Sequence, residues 1–466
     1  MDSGTGMLGR CGRCIGTNTA ESTQERNKPL YRIPYGKAEI EFALPPTMRG
    51  TVAVSQAVPP LEDLPAAISE ALHHPINSPP LRELARPDAT VCIVFTDVTR
   101  ASPDQLLVPA LLAELEAAGV RDQDVTLLCG IGMHRPSTAE EKVSKLGRVV
   151  VERYRVMDNE PQNPAALMDL GTTESGIPLS VHRAAYEADL LIGTGLVEPH
   201  QYAGYSGGRK TVAVGAAGEA MIAYTHGPQM IDHPGTRLGR IEGNPFHEAI
   251  TEAARRAGLT FILNVVLDDH KRAVAVKAGE PEATFRALVD AARQVYEVTV
   301  PQRYDVVIGG VGYPKDTNLY QASRAASYLF FAPTAVVKDG GFLIIAAPCQ
   351  EGAGDGVGEQ RFYEQMKNAS DMPSLLAEMR RTGYPPGAQR AFVLAKVLEK
   401  AHIVVVGSER PDVIHACKMI PVDTLDEALN LAARKLGEHL DVLVVPHAML
   451  TLPIVTPATS PVPSNA

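Results

Sequence analysis

The sequence predicts an α/β protein of two domains with mainly parallel sheets. Three observations carry that reading. Short, continuously apolar runs recur along the chain, amphipathic stretches separate them, and unusual polar residues gather just after the runs. A strand covered by helices on both faces is apolar at every position rather than at alternate ones, so this rhythm indicates parallel strands inside helical layers. At 466 residues the chain exceeds one ordinary core. Its 45% hydrophobic and 21% charged content is that of a globular protein.

Taken in order, residues 1–27 hold no apolar core and are rich in Gly, Ser, Thr and charge, which predicts a disordered extension and no signal peptide. Cys11 and Cys14 form a lone C-x-x-C there, without the second pair a zinc ribbon needs. "ATVCIVFTD" (89–97) has the length and β-branched content of a buried strand, and a helix over 102–120 follows, with Ser102 as N-cap and Pro103 at its first position. Further strands are expected at 124–132, 188–195, 260–268, 304–312, 340–348, 401–408 and 440–448. Helices are expected at 245–257, 281–297, 388–400 and 424–437. A boundary falls near "YEVTVPQRYD" (296–305), giving a first domain over 28–299 and a second over 301–438. The stretch 440–466 is open to packing on either.

Composition excludes two classes of partner. A formal charge of −10 opposes non-specific nucleic-acid binding, which needs a basic face. No apolar run reaches the ~18 residues of a membrane span, and a cytoplasmic location is expected.

The segment "VEPHQYAGYSGGRKTVAVGAAG" (197–218) reads as a long glycine-rich loop, costly to order unless something binds it. It misses the phosphate-loop pattern by one residue, because Arg209 stands where the second glycine belongs. Ligands of open parallel sheets bind beyond the carboxyl ends of strands. There lie Asp97, Thr99 and Arg100, then Gly132 and His134, then Glu198, His200 and Lys210, with His226 further on; Tyr313, Tyr320, Gln321 and Arg324 follow the strand at 304–312. The other ten histidines read as solvated or hydrogen-bonded side chains. Two chemistries remain open on this set. Three histidines suit a zinc hydrolase, although no H-E-x-x-H or H-x-H spacing occurs. A cofactor held by loop amides and a lysine would instead leave histidines free as acid and base.

Five motifs narrow the choice. "TDVTR" (96–100), "GMHRP" (132–136), "EPHQYAGYSGGRK" (198–210), "THGP" (225–228) and "YQASR" (320–324) together resemble the nickel-dependent lactate racemase family, in order and spacing over about 230 residues. The resemblance implies an isomerase with its active site in the cleft between domains. It implies a nickel-pincer nucleotide (pyridinium-3,5-bisthiocarboxylate mononucleotide) covalently attached to Lys210, with His226 as nickel ligand. His134 and His200 would be paired acid–base catalysts, with Asp97 and Arg100 beside them, and Tyr320, Gln321 and Arg324 would bind the substrate carboxylate together with Arg100. A hydride would leave C2 of a 2-hydroxy acid and return to the other face of a 2-oxo acid. Cofactor-maturation proteins would be partners; a non-catalytic carrier of the cofactor is a further alternative. Beside the resemblance, Ser206, Gly207 and Gly208 are expected to cradle the cofactor phosphate with their amides, the glycines letting backbone approach the nucleotide. The chain departs from lactate-specific members in having Arg324 where they have lysine, and in having no tryptophan for the pocket wall, where "GYPPGAQRAF" (383–392) stands with Tyr384 or Gln389 nearest. A substrate larger or more polar than lactate is therefore expected.

Overall fold

The computed structural model describes residues 29–385 and 387–456, so the extension 1–27 with Cys11 and Cys14 lies outside the described residues. Two six-stranded sheets organise the chain. The first runs Ala273–Gly279, Leu259–Leu267, Leu190–Leu196, Val91–Thr96, Val125–Gly130, Arg155–Asp158, parallel except for its first edge strand. Val91–Thr96 is buried at every position, which is why its sequence shows no alternation. Strands after it add on one side, whereas Leu190–Leu196 and Leu259–Leu267 add on the other. The segments leaving Thr96 and Leu196 thus part at a reversal of strand order, where a crevice opens.

The second sheet runs Ile420–Val422, His402–Val406, Val337–Ala346, Tyr304–Gly310, Asp441–Val445, Arg49–Val52, all parallel. Its composition corrects the expected domain limits. Arg49–Val52 pairs with Asp441–Val445, and the hairpin of Leu30–Tyr35 with Ala38–Ala43 buries Tyr31, Ile33 and Phe42 on the same sheet. The stretch from 28 to 299 is therefore not one unit, because its start belongs to the second sheet. At the other end, Asp441–Val445 lies in the second sheet, while Leu452–Val455 pairs with Glu297–Val300. Helix Leu64–His73 is the first element on the first sheet, through Ile68 and Leu72.

Two local expectations also shift. The helix expected from Pro103 is Asp104–Ala117, and Ser102 is not its cap. The Ser102 hydroxyl turns inward to Asp104 (3.2 Å), which is fully buried and ion-paired with Lys145 at 2.8 Å. Lys145 also donates to the backbone oxygens of Arg100 (3.2 Å) and Ser102 (2.9 Å), pinning the segment that leaves Val91–Thr96. A second difference concerns the glycine-rich stretch. It is partly helical: Gly208–Lys210 runs into a π-helical turn, Thr211–Gly215.

Candidate active site

A cavity of about 770 Å³ opens at the reversal point of the first sheet, and helices that follow strands of the second sheet close it. Asp97, Arg100, His134, Glu198, His200, Lys210, His226, Tyr320, Gln321 and Arg324 all line it, whereas two other residues singled out at strand ends do not: Thr99 stands behind Asp97, and Tyr313 is exposed beneath Lys37.

Asp97 follows the buried strand at its carboxyl end and is 6% exposed. Burial by itself would raise its pKa. Hydrogen bonds from His134 Nδ1 (2.5 Å) and Thr99 Oγ1 (2.6 Å), with the charge of Arg100, outweigh that and hold it below the ordinary carboxylate range. An ionised Asp97 accepts only, so His134 carries its proton on Nδ1 and keeps a lone pair on Nε2.

His200 is held in the opposite sense. It sits in a two-residue ribbon, Pro199–His200 against Gly204–Tyr205. Its Nδ1 accepts the backbone N–H groups of Ala203 (3.1 Å) and Tyr202 (3.3 Å), so the neutral ring carries its proton on Nε2. Burial, followed by the charges of Lys210 and Arg100, drives its pKa well below the imidazole value. The two histidines therefore present complementary nitrogens, one an acceptor and one a donor.

Lys210 ends the short Gly208–Lys210 helix. Burial is the chief cause and Arg100 the next in lowering its pKa to about 7, against the smaller opposing pull of Glu198 and Asp97. A large share of the amine is thus neutral, hence nucleophilic, at physiological pH. His226 follows helix Glu219–Thr225 and packs edge-on against Phe246 and Tyr202. Its Nδ1 donates to the carbonyl of Ile222 at 3.0 Å, leaving Nε2 with a lone pair, and burial lowers its pKa to about 4. An imidazole tethered at one nitrogen by a carbonyl and kept neutral is the form in which histidine binds metals. Tyr384 donates its hydroxyl to the His226 carbonyl at 2.8 Å, reaching across from the side of the second sheet.

The opposite wall is helix Leu319–Phe330, begun by Asn318, which accepts Gln321 N–H at 3.0 Å. One face of it carries Tyr320, Gln321, Arg324 and Tyr328. Arg324 donates to Tyr328 Oη (2.8 Å) and reaches Gln321 Oε1 at 3.4 Å. Although burial opposes it, the Arg324 charge brings the Tyr328 phenol below its ordinary pKa.

The expectation for Ser206, Gly207 and Gly208 needs correction. Ser206 N–H donates to Glu198 O (2.9 Å) and Gly208 N–H to Asn264 Oδ1 (2.6 Å), so these amides are already spent on the protein and no three-amide cradle is free. Nor do the glycines make room for a ligand. A Cβ on Gly207 would stand 2.9 Å from the Phe285 ring, and one on Gly208 would stand 2.8 Å from Ile262 and 2.9 Å from Asn264, so close packing of the chain on itself demands them. Ser206 and Gly207 still line the cavity. Among the described residues no three His, Cys, Asp or Glu side chains gather as a metal site. His134, His200 and His226 thus do not form the three-histidine centre that a zinc hydrolase needs.

Sequence reasoning missed Gln201, Arg390 and Tyr328, all on the cavity wall. The first two stand inside stretches already singled out, and Tyr328 lies one helical turn beyond Arg324; helical spacing was the signal available for it.

Residues 35–239 match the model of the lactate racemase N-terminal domain, and residues 300–452 that of the lactate racemase C-terminal domain. The lactate racemase of Thermoanaerobacterium thermosaccharolyticum is 31% identical over 423 residues, 89% of this chain and 96% of the relative. That of Lactiplantibacillus plantarum is 32% identical over 423 residues, 90% and 98% respectively. The lactate racemase apoprotein structure from T. thermosaccharolyticum superposes with a TM-score of 0.81 at 30% identity, covering 91% of this chain and all of that one. A Thermotoga maritima protein structure shares the fold, with a TM-score of 0.61 at 19% identity over 84% of this chain and 98% of its own.

Proposed function

The chain belongs to the lactate racemase family of nickel-pincer-dependent 2-hydroxy acid racemases, and from that premise we propose that its cavity is the active site, set in the cleft between two α/β domains. The observation that carries this reading is the meeting, in one cavity, of an amine held near pKa 7 with a carbonyl-tethered neutral histidine, between two differently tautomerised histidines. These residues fit the family's cofactor. Lys210, its amine partly neutral, would carry the covalent nucleotide, and His226 would offer its Nε2 to the nickel.

When bound, the nickel-pincer nucleotide supplies a hydride acceptor and donor for C2 of the substrate. The chain's own residues do the rest. Arg100, Gln321 and Arg324 hold the carboxylate, a guanidinium being able to offer two parallel N–H groups to it. His134, polarised by Asp97, takes the hydroxyl proton at Nε2 in one enantiomer. The resulting 2-oxo acid is planar, and His200 offers its Nε2–H to the oxygen in its other position. Tyr320 lines the same wall, its ring edge-on to Phe362. Delivery of the nucleotide implies maturation proteins as partners. The free, buried thiols of Cys92, Cys129, Cys349 and Cys417 support a reducing, cytoplasmic setting, and among the described residues no helix is long and apolar enough to cross a membrane.

The test is intact mass and turnover of protein produced with the maturation system. A covalent adduct of nucleotide size on Lys210 and inversion at C2 of a 2-hydroxy acid are expected. Its absence in active protein removes the reading. His226→Ala is expected to keep the adduct and lose nickel, measured by metal analysis, whereas equal metal loss in His134→Ala and His200→Ala would restore the zinc alternative. Arg324→Lys is expected to cost about 1–3 kcal/mol in kcat/KM on the native substrate, because an ammonium cannot serve Tyr328, Gln321 and a carboxylate with the same fork. Comparing kcat/KM across substrates in the variant checks it.

A further inference from the structure

The cavity wall holds more cationic donors than one carboxylate uses. Arg390, on helix Gln389–Leu398, is only 7% exposed yet lines the cavity. Among the described residues it has no carboxylate within ion-pair distance. Its Nη1 donates to Ser327 Oγ at 3.0 Å, its guanidinium lies 5.5 Å from the Tyr320 ring centre, and its Nε is buried without an acceptor. Beside it, Gln201 is 4% exposed, its Oε1 lies 3.4 Å from the same Ser327 hydroxyl, whose shorter contact is to the Arg324 carbonyl at 3.0 Å, and its Nε2 is without an acceptor. Arg324, three residues before Ser327, likewise has no carboxylate within ion-pair distance among the described residues, and its Nε is unpartnered.

Buried N–H groups without acceptors and a buried cation without an anion are both costly, and native proteins pair such groups with ordered water, an ion or a ligand. Every unpaired atom in this cluster is a donor, so the missing group is an acceptor, and the charge of Arg390 makes it an anion. The substrate's C1 carboxylate is already assigned to Arg100, Gln321 and Arg324. Arg209, another deeply buried guanidinium, differs: it lies 3.6 Å over the Phe285 ring and does not line the cavity.

We propose that Arg390 and Gln201, joined through Ser327, form a subsite for a second anionic group, and that the preferred substrate is a 2-hydroxy acid bearing a distal carboxylate or phosphate. This rests on the racemase reading of the cavity and adds the substrate class to it. Wild-type and Arg390→Met proteins, with adduct confirmed by mass, are assayed with lactate, 2-hydroxybutyrate, malate, 2-hydroxyglutarate and 3-phosphoglycerate. Binding of malate and lactate to the cofactor-free chains is measured in parallel by calorimetry. The expected result is a preference for dianions of ~10-fold or more in both kcat/KM and affinity, lost in Arg390→Met while lactate values stay within ~3-fold, and partly restored by Arg390→Lys. Preference for malate or 2-hydroxyglutarate identifies a carboxylate in the subsite, and preference for 3-phosphoglycerate a phosphate. Dianions no better than lactate, or an equal effect of Arg390→Met on mono- and dianions, overturns the subsite while leaving the racemase reading intact. Adduct-bearing protein that inverts none of the five acids defeats that reading itself.

Discussion

Replacing Lys210 by alanine is expected to abolish racemisation and to leave the chain without covalent nucleotide, while the protein folds normally. The argument for folding is electrostatic. The folded-state pKa of Lys210, about 7, lies below its ordinary 10.5. The unfolded chain therefore binds more protons between those values, and burying the group costs stability in full below pH 7, a cost relieved as pH rises to 10.5. Removing the amine removes the cost. The cofactor-free variant should melt at or above the temperature of the cofactor-free parent at pH 7, with the difference narrowing as pH is raised, as calorimetry at several pH values would record. Intact mass reads the adduct directly. A variant that retained the adduct would have it elsewhere than on Lys210, and the assignment would fall.

Asp97→Asn is expected to lower kcat by ~10²–10⁴ with adduct and nickel retained, and His134→Ala by ~10² or more. Asp97 accepts from His134 Nδ1 at 2.5 Å and is kept ionised by that bond, by Thr99 and by Arg100. An asparagine presents a donor as well as an acceptor at that point, so it no longer dictates which nitrogen of His134 carries the proton. Loss of turnover without loss of metal separates this role from that of His226. Should Asp97→Asn turn over normally while His134→Ala does not, Asp97 serves only to buttress its loop.

Much of this was legible in the sequence, for physical reasons. The central strands of both sheets are buried on both faces, so runs such as "VCIVFT" announce themselves, whereas the edge strand Arg49–Val52 is largely exposed. Chemistry sits at strand ends because a parallel sheet leaves its open crevice there, so Asp97, His134 and His200 were found without any alignment. What was not legible depends on distant partners. Arg49–Val52 carries no mark that it pairs with Asp441–Val445, since parallel pairing is decided far from either strand. The glycines of 204–208 looked like room for a nucleotide and are required by Arg240, Phe285 and Ile262 instead, neighbours that become visible only once the chain is folded. Arg390 and Gln201 escaped because an arginine in a helix is ordinarily solvated; what distinguishes them is burial without a counter-ion.

The strand Arg49–Val52 has a mechanical consequence. Among the described residues the backbone begins on the second sheet, leaves it before helix Leu64–His73 and returns through Glu297–Val300, so two separate stretches of backbone join the layers built on the two sheets. Two crossings leave fewer ways for one layer to turn on the other than a single one would, and a shared core adds to them: Met221, Met230 and Phe246 lie in the same buried cluster as Leu319, Phe331 and Phe392. Arg324 and Arg390 are thus held on the wall of the cavity that Lys210 also lines by packing as well as by the path of the backbone.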